Sequence, residues 1–273
     1  MEKKLKKEIK FISPPKMKLW EILAYFIIYS IAGYIIETIF ALVRYGVLES
    51  RKSFLYGPFC SIYGIGAVVM ILFLRYFMRN RMTLFVAGFF IGSIIEYLVS
   101  LIGELILHVK WWDYSNMPLN INGRICFYYS IFWGFLAIFL MKIIHPHIRN
   151  LLAYIIKKFK IKIVKIVIII ISIFMAIDCI ISAFAIDLFT IRMIANNNLN
   201  VANKNKVIEI NDIIFQNSFG QKISDIFFND KIMLKTYPNL KVEQIDGYII
   251  YFKDLLPDIK PYYIRFQDRD FYK

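Results

Sequence analysis

Apolar residues in this chain fall in long uninterrupted blocks, not at the two-residue spacing of a half-buried strand. Five blocks stand out: residues 19–43, 53–74, 82–107, 125–141 and 166–191. The second carries no charged residue, and the fourth extends past Lys142 to residue 144. A bilayer core of about 30 Å is crossed by about 20 helical residues. Inside lipid every backbone N–H and C=O needs a partner within the protein, so blocks of this length are predicted to be helices. The pattern therefore predicts an all-α polytopic membrane protein with about five transmembrane helices over 19–191.

The segments between the blocks set an orientation. Residues 1–18 hold seven Lys and two Glu, loop 75–81 holds Arg75, Arg79 and Arg81, and loop 142–165 holds Lys142, Arg149, Lys157, Lys158, Lys160, Lys162 and Lys165. The other two loops are poorer in base: Arg44, Arg51 and Lys52 against Glu49, then Lys110 and Arg124 against Asp113. Basic loops stay cytoplasmic. The expectation is a multi-pass cell-membrane protein with its basic N-terminus, 1–18, inside and its C-terminus outside. Residues 145–160 read as an amphipathic helix on the inner surface, with its cations toward anionic headgroups. The Lys-rich start lacks an apolar region followed by a small-residue cleavage site, so the first block is expected to remain as an anchor.

Residues 192–273 differ in kind. Twelve Lys or Arg and ten Asp or Glu are spread through short apolar runs. Residues 225–235 read as a helix and 242–252 as a strand. This predicts a small α+β C-terminal extramembrane domain.

Composition narrows the function classes. The chain has 273 residues, 59% of them hydrophobic, and a formal net charge of +14. Its cations lie between apolar blocks and not on one soluble face, which argues against nucleic acid as a partner. The three cysteines, Cys60, Cys126 and Cys179, show no zinc or disulfide spacing. No phosphate-binding G-x-x-x-x-G-K-[ST] motif is present, so any ATPase would be a separate subunit. His108, His145 and His147 form no cluster with carboxylates, and no H-E-x-x-H or G-x-S-x-G pattern occurs. No enzyme activity, metal or cofactor is expected.

Candidate chemistry lies in the blocks themselves. Gly33-Tyr34-Ile35-Ile36-Glu37 in the first echoes Gly92-Ser93-Ile94-Ile95-Glu96 in the third, and Ser61-Ile62-Tyr63-Gly64 echoes Ser130-Ile131-Phe132-Trp133-Gly134 with one insertion. Two parallel helical hairpins followed by a fifth helix would account for this; chance similarity among Ile-rich helices is the alternative. A glycine four residues before a glutamate shares its helix face. An intramembrane carboxylate costs about 3 kcal/mol at the helix centre, so it faces a partner or a polar cavity. Glu37, Glu96 and Asp178 are thus substrate- or ion-path candidates, with a protonated packing role as the alternative. Glu21, Glu104 and Asp187 lie near block ends and are expected to reach water. Gly57 and Pro58 permit a tight turn into the second helix. In 111–115, the aromatics suit a membrane interface, and Asp113 either caps a short helix or pairs with Arg124 or Arg51.

Taken together, residues 33–38 (Gly-Tyr-Ile-Ile-Glu-Thr), 54–66 (Phe-Leu-Tyr-Gly-Pro-Phe-Cys-Ser-Ile-Tyr-Gly-Ile-Gly), Glu96-Tyr97, Trp111-Trp112-Asp113-Tyr114-Ser115, Pro118, Asn120, Gly123-Arg124-Ile125-Cys126 and Trp133-Gly134 resemble the CmpB-type ABC-transporter permeases. The likeness covers about residues 20–145 and implies a bacterial, multi-helix, permease-like protein without naming a substrate. The family usually has Pro where Ser61 stands, a departure at the start of the second helix. The leading reading is a permease-like transporter subunit whose loops 75–81 and 142–165 receive a separate ATPase. The alternative is a membrane scaffold or sensor that presents its tail outside.

Overall fold

A computed structural model describes residues 16–107, 112–215 and 218–266. Its long helices are α1 (Leu19–Tyr45), α3 (Arg81–Leu107), the run α4 (Phe127–Phe139) to α5 (His145–Phe159), and α6 (Ile161–Asn196); the shorter α2 is Ser61–Leu74. A single 3-10 turn, Arg75–Phe77, links α2 toward α3. Among the described residues four helices are long and apolar enough to cross a membrane: α1, α3, the α4–α5 run and α6. Their exposed sides are apolar as well. Ile166, Ile170, Ile173, Ile177 and Ile180 on α6 are each 49–72% exposed. In water such a stripe would be a liability, whereas against lipid it is the normal outer surface. The chain is a membrane protein.

In the helical region two elements differ from the sequence reading. The second helix starts at Ser61, because residues 53–60 form an irregular loop around Gly57, whose φ is +69°, and Pro58. The helix at 145–159 exists, but it continues α4 and is not a separate element. Pro146 has no N–H for the carbonyl four residues back, and the ladder widens into one π-turn at Leu140–Ile144 just before it. Along α5, Ile148, Leu152, Ile155 and Ile156 are turned inward, while Arg149, Lys157 and Lys158 are exposed. Lys160, with φ +63°, ends the helix.

The residues after α6 form α7 (Lys204–Phe215), α8 (Ser218–Phe227), α9 (Asp230–Thr236), β2 (Lys241–Glu243), β3 (Ile249–Tyr251), α10 (Phe252–Leu255) and β4 (Tyr262–Arg265). The helix expected over 225–235 is broken, since Asn229 caps a new helix by accepting from the Ile232 N–H at 2.9 Å. The strand expected over 242–252 is a hairpin. Asp246-Gly247 turns the chain, Gly247 has φ +81°, and Val242 pairs with Ile250.

Two compact units emerge. One comprises the described residues up to Tyr25, Gly66–Leu98 and Asp113–Ile169; the other, the described residues of Phe26–Ile65, Val99–Trp112 and Ile170–Lys273. In the second unit β4 pairs antiparallel with β1 (Val47–Glu49), which directly follows α1. The main core of that unit joins Leu55 and the last turns of α6 (Ala185, Leu188, Phe189, Met193) to Phe228, Met233, Tyr237 and Phe252.

Candidate functional site

In the first unit the glycines of α3 decide how close α4 comes. A Cβ on Gly92 would lie 2.5 Å from the Trp133 Cβ, and one on Gly88 would lie 2.2 Å from the Ala137 Cβ. Gly134 in turn leaves room for the Phe85 ring, 2.6 Å from where its Cβ would be. Small residues on both faces allow this approach. The approach brings the Trp133 indole onto Glu96: Nε1–H donates to Oε2 at 2.9 Å. The Tyr114 hydroxyl donates to Oε1 at 3.0 Å, and Glu96 is 7% exposed. Each carboxylate oxygen therefore has its own donor. Beside it the Ser93 hydroxyl donates to Ser130 at 2.7 Å.

Tyr114 is delivered by the loop before α4. Its N–H donates to the Gly123 carbonyl at 2.8 Å, and its ring stacks on Tyr129 with centroids 4.6 Å apart. The Asn120 amide donates to the carbonyls of Ser115 and Met117, and its oxygen accepts from the Gly123 N–H at 3.1 Å. Asp113 accepts from the Ser115 N–H at 2.9 Å and from its hydroxyl at 2.6 Å, which is the local turn-capping role. Gly123 sits at φ +65°, and a Cβ there would meet Ser115 Oγ at 2.5 Å. Arg124 lies over the Tyr97 ring at 5.8 Å, and Trp112 is half-buried. Burial first, and then the neighbouring Glu96 carboxylate, push the Tyr114 phenol well above its ordinary range, so it remains a donor at any physiological pH. Trp111 lies outside the described residues.

The second unit repeats the device with different side chains. A Cβ on Gly33 would lie 2.4 Å from the Tyr63 Cβ, and one on Gly64 would meet Phe26 at 2.7 Å. The Tyr63 hydroxyl donates to Glu37 Oε1 at 2.5 Å. Gly33 thus stands to Tyr63 and Glu37 as Gly92 stands to Trp133 and Glu96, and Gly64 faces Phe26 as Gly134 faces Phe85.

Asp178 has another surrounding. It is 1% exposed, and its carboxylate accepts from the Tyr56 N–H at 3.1 Å and from the Ser182 hydroxyl at 3.1 Å. Ser182 Oγ in turn accepts from the Leu55 N–H at 2.6 Å. Buried non-helical backbone needs partners within the protein, and Asp178 and Ser182 supply them to the loop before α2. Within that loop Ser53 Oγ accepts from the Ser61 N–H at 3.0 Å, which supplies the cap that Pro58 and Gly57 cannot. Arg51 pairs with the buried Glu49 at 2.6 Å.

Several of these roles escape a reading of the sequence. Tyr63 is one polar aromatic among many, and nothing before folding marks it as the donor to Glu37. Ser182 could have been found, because it lies one helical turn after Asp178. Among the described residues no group of three or more His, Cys, Asp or Glu could hold a metal ion. Comparison with known proteins gives a family match: the model of the family described as Putative ABC-transporter type IV (CmpB) matches residues 24–183. No curated protein and no solved structure matches the chain.

Proposed function

From the premise that the chain belongs to that ABC-transporter family, whose model spans more than half of its 273 residues, we propose that it is the permease-like subunit of a transporter served by a separate ATPase. The observation that carries this reading is the matched clasp in both units. In each, a glycine admits an aromatic residue of the next helix, and that aromatic donates to a glutamate one turn along. Two like halves are the architecture of many transporters, with polar sites formed where their helices are held close. Glu37 and Glu96, each within its own unit, are the groups proposed to act on the transported species. Asp178 serves the loop at 53–60.

The proposed topology has five crossings with the N-terminus inside, and the two hairpins α1–α2 and α3–α4 run parallel. The β1–β4 pairing supports it. The end of α1 and the tail share one side, so an even number of crossings separates them; α2, α3, the α4–α5 run and α6 make four. The shorter α2, continued by its 3-10 turn to Phe77, then counts as a crossing. The proposed ATPase surface is the turn at 75–81 and the basic stretch 142–165, which meet where Lys142 Nζ donates to the Met78 carbonyl at 3.0 Å. Purification in mild detergent, followed by identification of co-purifying proteins, tests the reading. Recovery of an ATPase that is lost when Arg79, Arg81, Lys157 and Lys158 are changed to Ser is the expected result. Its absence from a folded, native-level preparation would reject the subunit assignment.

The alternative, a scaffold or sensor, draws on a different observation. Because β4 is bonded to the strand that ends α1, anything bound by the tail pulls directly on a membrane helix. A ligand that binds the tail and shifts the stability of the whole protein, with no ATPase present, would favour it.

A further inference from the structure

The tail does not simply stand off the membrane. Arg192, near the end of α6, donates to Ser224 Oγ on α8 and to the Phe228 carbonyl at 2.9 Å, and it pairs with Asp230. One turn beyond Ser224, the Phe228 ring packs against Phe184, with centroids 6.4 Å apart. Phe228 thus meets α6 twice, through its carbonyl at the Arg192 guanidinium and through its ring at Phe184, eight residues nearer the apolar stretch of that helix. The aromatic side chains at the C-terminal end of α8 therefore lie against the apolar stretch of α6.

The level it reaches can be read from α6 itself. On one stripe Ile173, Ile177, Ile180 and Phe184 are 53–72% exposed, and the next residue on that stripe, Asp187, is exposed and acidic. The lipid-facing surface therefore ends between Phe184 and Asp187. The rings of Phe227 and Phe228 meet α6 at the level of residues 180–184. With Tyr56, Ile180, Ile181 and Phe184 they line an apolar groove of about 390 Å³. Phe227, in the groove, is 52% exposed, and its neighbour Ile226 is 63% exposed. Asp225, in the same last turn of α8, is exposed beside Ser224, so the apolar exposed surface of that turn is limited to Ile226 and Phe227. Lys222 and Lys231, both exposed, flank that turn; lysine stems of this kind reach back to headgroups.

We infer that the Ile226–Phe227 end of α8 is immersed in the leaflet on the tail's side and that phospholipid acyl chains fill the groove between it and α6. The inference rests on the membrane-spanning character of α6 and is independent of the transport reading. Immersion of such helix ends to about 5–10 Å is ordinary for amphipathic elements.

The test uses the full chain with Cys179→Ala, since Cys60 and Cys126 are buried, reconstituted in phosphatidylcholine–phosphatidylglycerol liposomes. A nitroxide is placed by Phe227→Cys and, as the control on the same helix, by Lys222→Cys. Saturation measurements compare collision with oxygen, which partitions into lipid, and with a water-soluble nickel chelate. The expected result is a several-fold higher ratio of oxygen to nickel accessibility at 227 than at 222. Equal nickel accessibility at the two sites would overturn the inference, because 227 would then face water. Low accessibility to both reagents at 227 would overturn it equally, because protein would cover the site. Should Phe227→Cys not fold, Ile226→Cys gives the same reading.

Discussion

At the residue scale the two glutamates can be separated from their structural work. Glu96 accepts one donor on each oxygen. A glutamine keeps an acceptor for the indole, and its amide can donate to the Tyr114 hydroxyl, which then rotates. Glu96→Gln should therefore fold with little loss of thermal stability, and Glu37→Gln likewise. If their charge serves transport, both variants will be inactive in an uptake or growth assay; full complementation by the double variant would remove both from the mechanism. Trp133→Phe is the complementary change. It leaves one carboxylate oxygen of Glu96 without its donor and should lower stability by about 1–3 kcal/mol, measured by thermal unfolding in detergent.

Lys253 offers a pH signature at the same scale. Burial depresses its ammonium below the ordinary value of 10.5; Asp254 and Glu49 oppose the shift, and Arg51 adds to it. Between the lowered folded value and 10.5 the unfolded chain holds the extra proton, so stability rises with pH through that window. Below the lowered folded value the penalty is fully present. Lys253→Met should flatten this rise, as seen in unfolding midpoints at stepped alkaline pH. Parallel curves for the two proteins would count against a buried ammonium.

At the element scale the loop before α2 depends on α6. Asp178→Leu would strip the partner from the Tyr56 N–H and should loosen residues 54–60 while the helices persist. Backbone hydrogen exchange is the measure: faster exchange confined to that loop is expected, at a cost of about 1–3 kcal/mol, and unchanged protection would contradict the anchor. This element also shows where sequence reading stops. An uncharged apolar run at 53–74 looks the same whether or not its first turn is helical. What decides it is a carboxylate and a hydroxyl more than 120 residues later in the chain. The long blocks were legible because lipid forces helix on any such stretch. The run at 242–252 was legible as β-prone but reads as one strand, and the Asp246-Gly247 turn that folds it into a hairpin escapes that reading. The glycine-to-aromatic contacts were not legible, because they need the register between two helices.

At the scale of the whole molecule, the family match and the crossing helices agree on a membrane protein, and sidedness is open to direct measurement. In the Cys179→Ala background, Asp258→Cys should react with an impermeant thiol reagent in intact cells, and Lys158→Cys only after lysis. The reverse pattern would invert the proposed topology. A chain ending at Asn196 should still resist carbonate extraction, because the apolar helices all precede that point. It should also unfold at lower temperature, since Leu188, Phe189 and Met193 lose the tail residues that cover them.

The pairing of β1 with β4 has a consequence in time as well as in space. The two strands are more than two hundred residues apart. At about 5–20 residues per second of synthesis, β1 waits roughly 10–40 s for its mate. Throughout that interval a nascent chain presents a bare strand edge just after its first helix. The edge is closed only when residues 262–265 emerge, so every incomplete chain carries the same open hydrogen-bonding row. A quality-control factor that recognises extended backbone would need no other mark to tell an unfinished copy from a finished one.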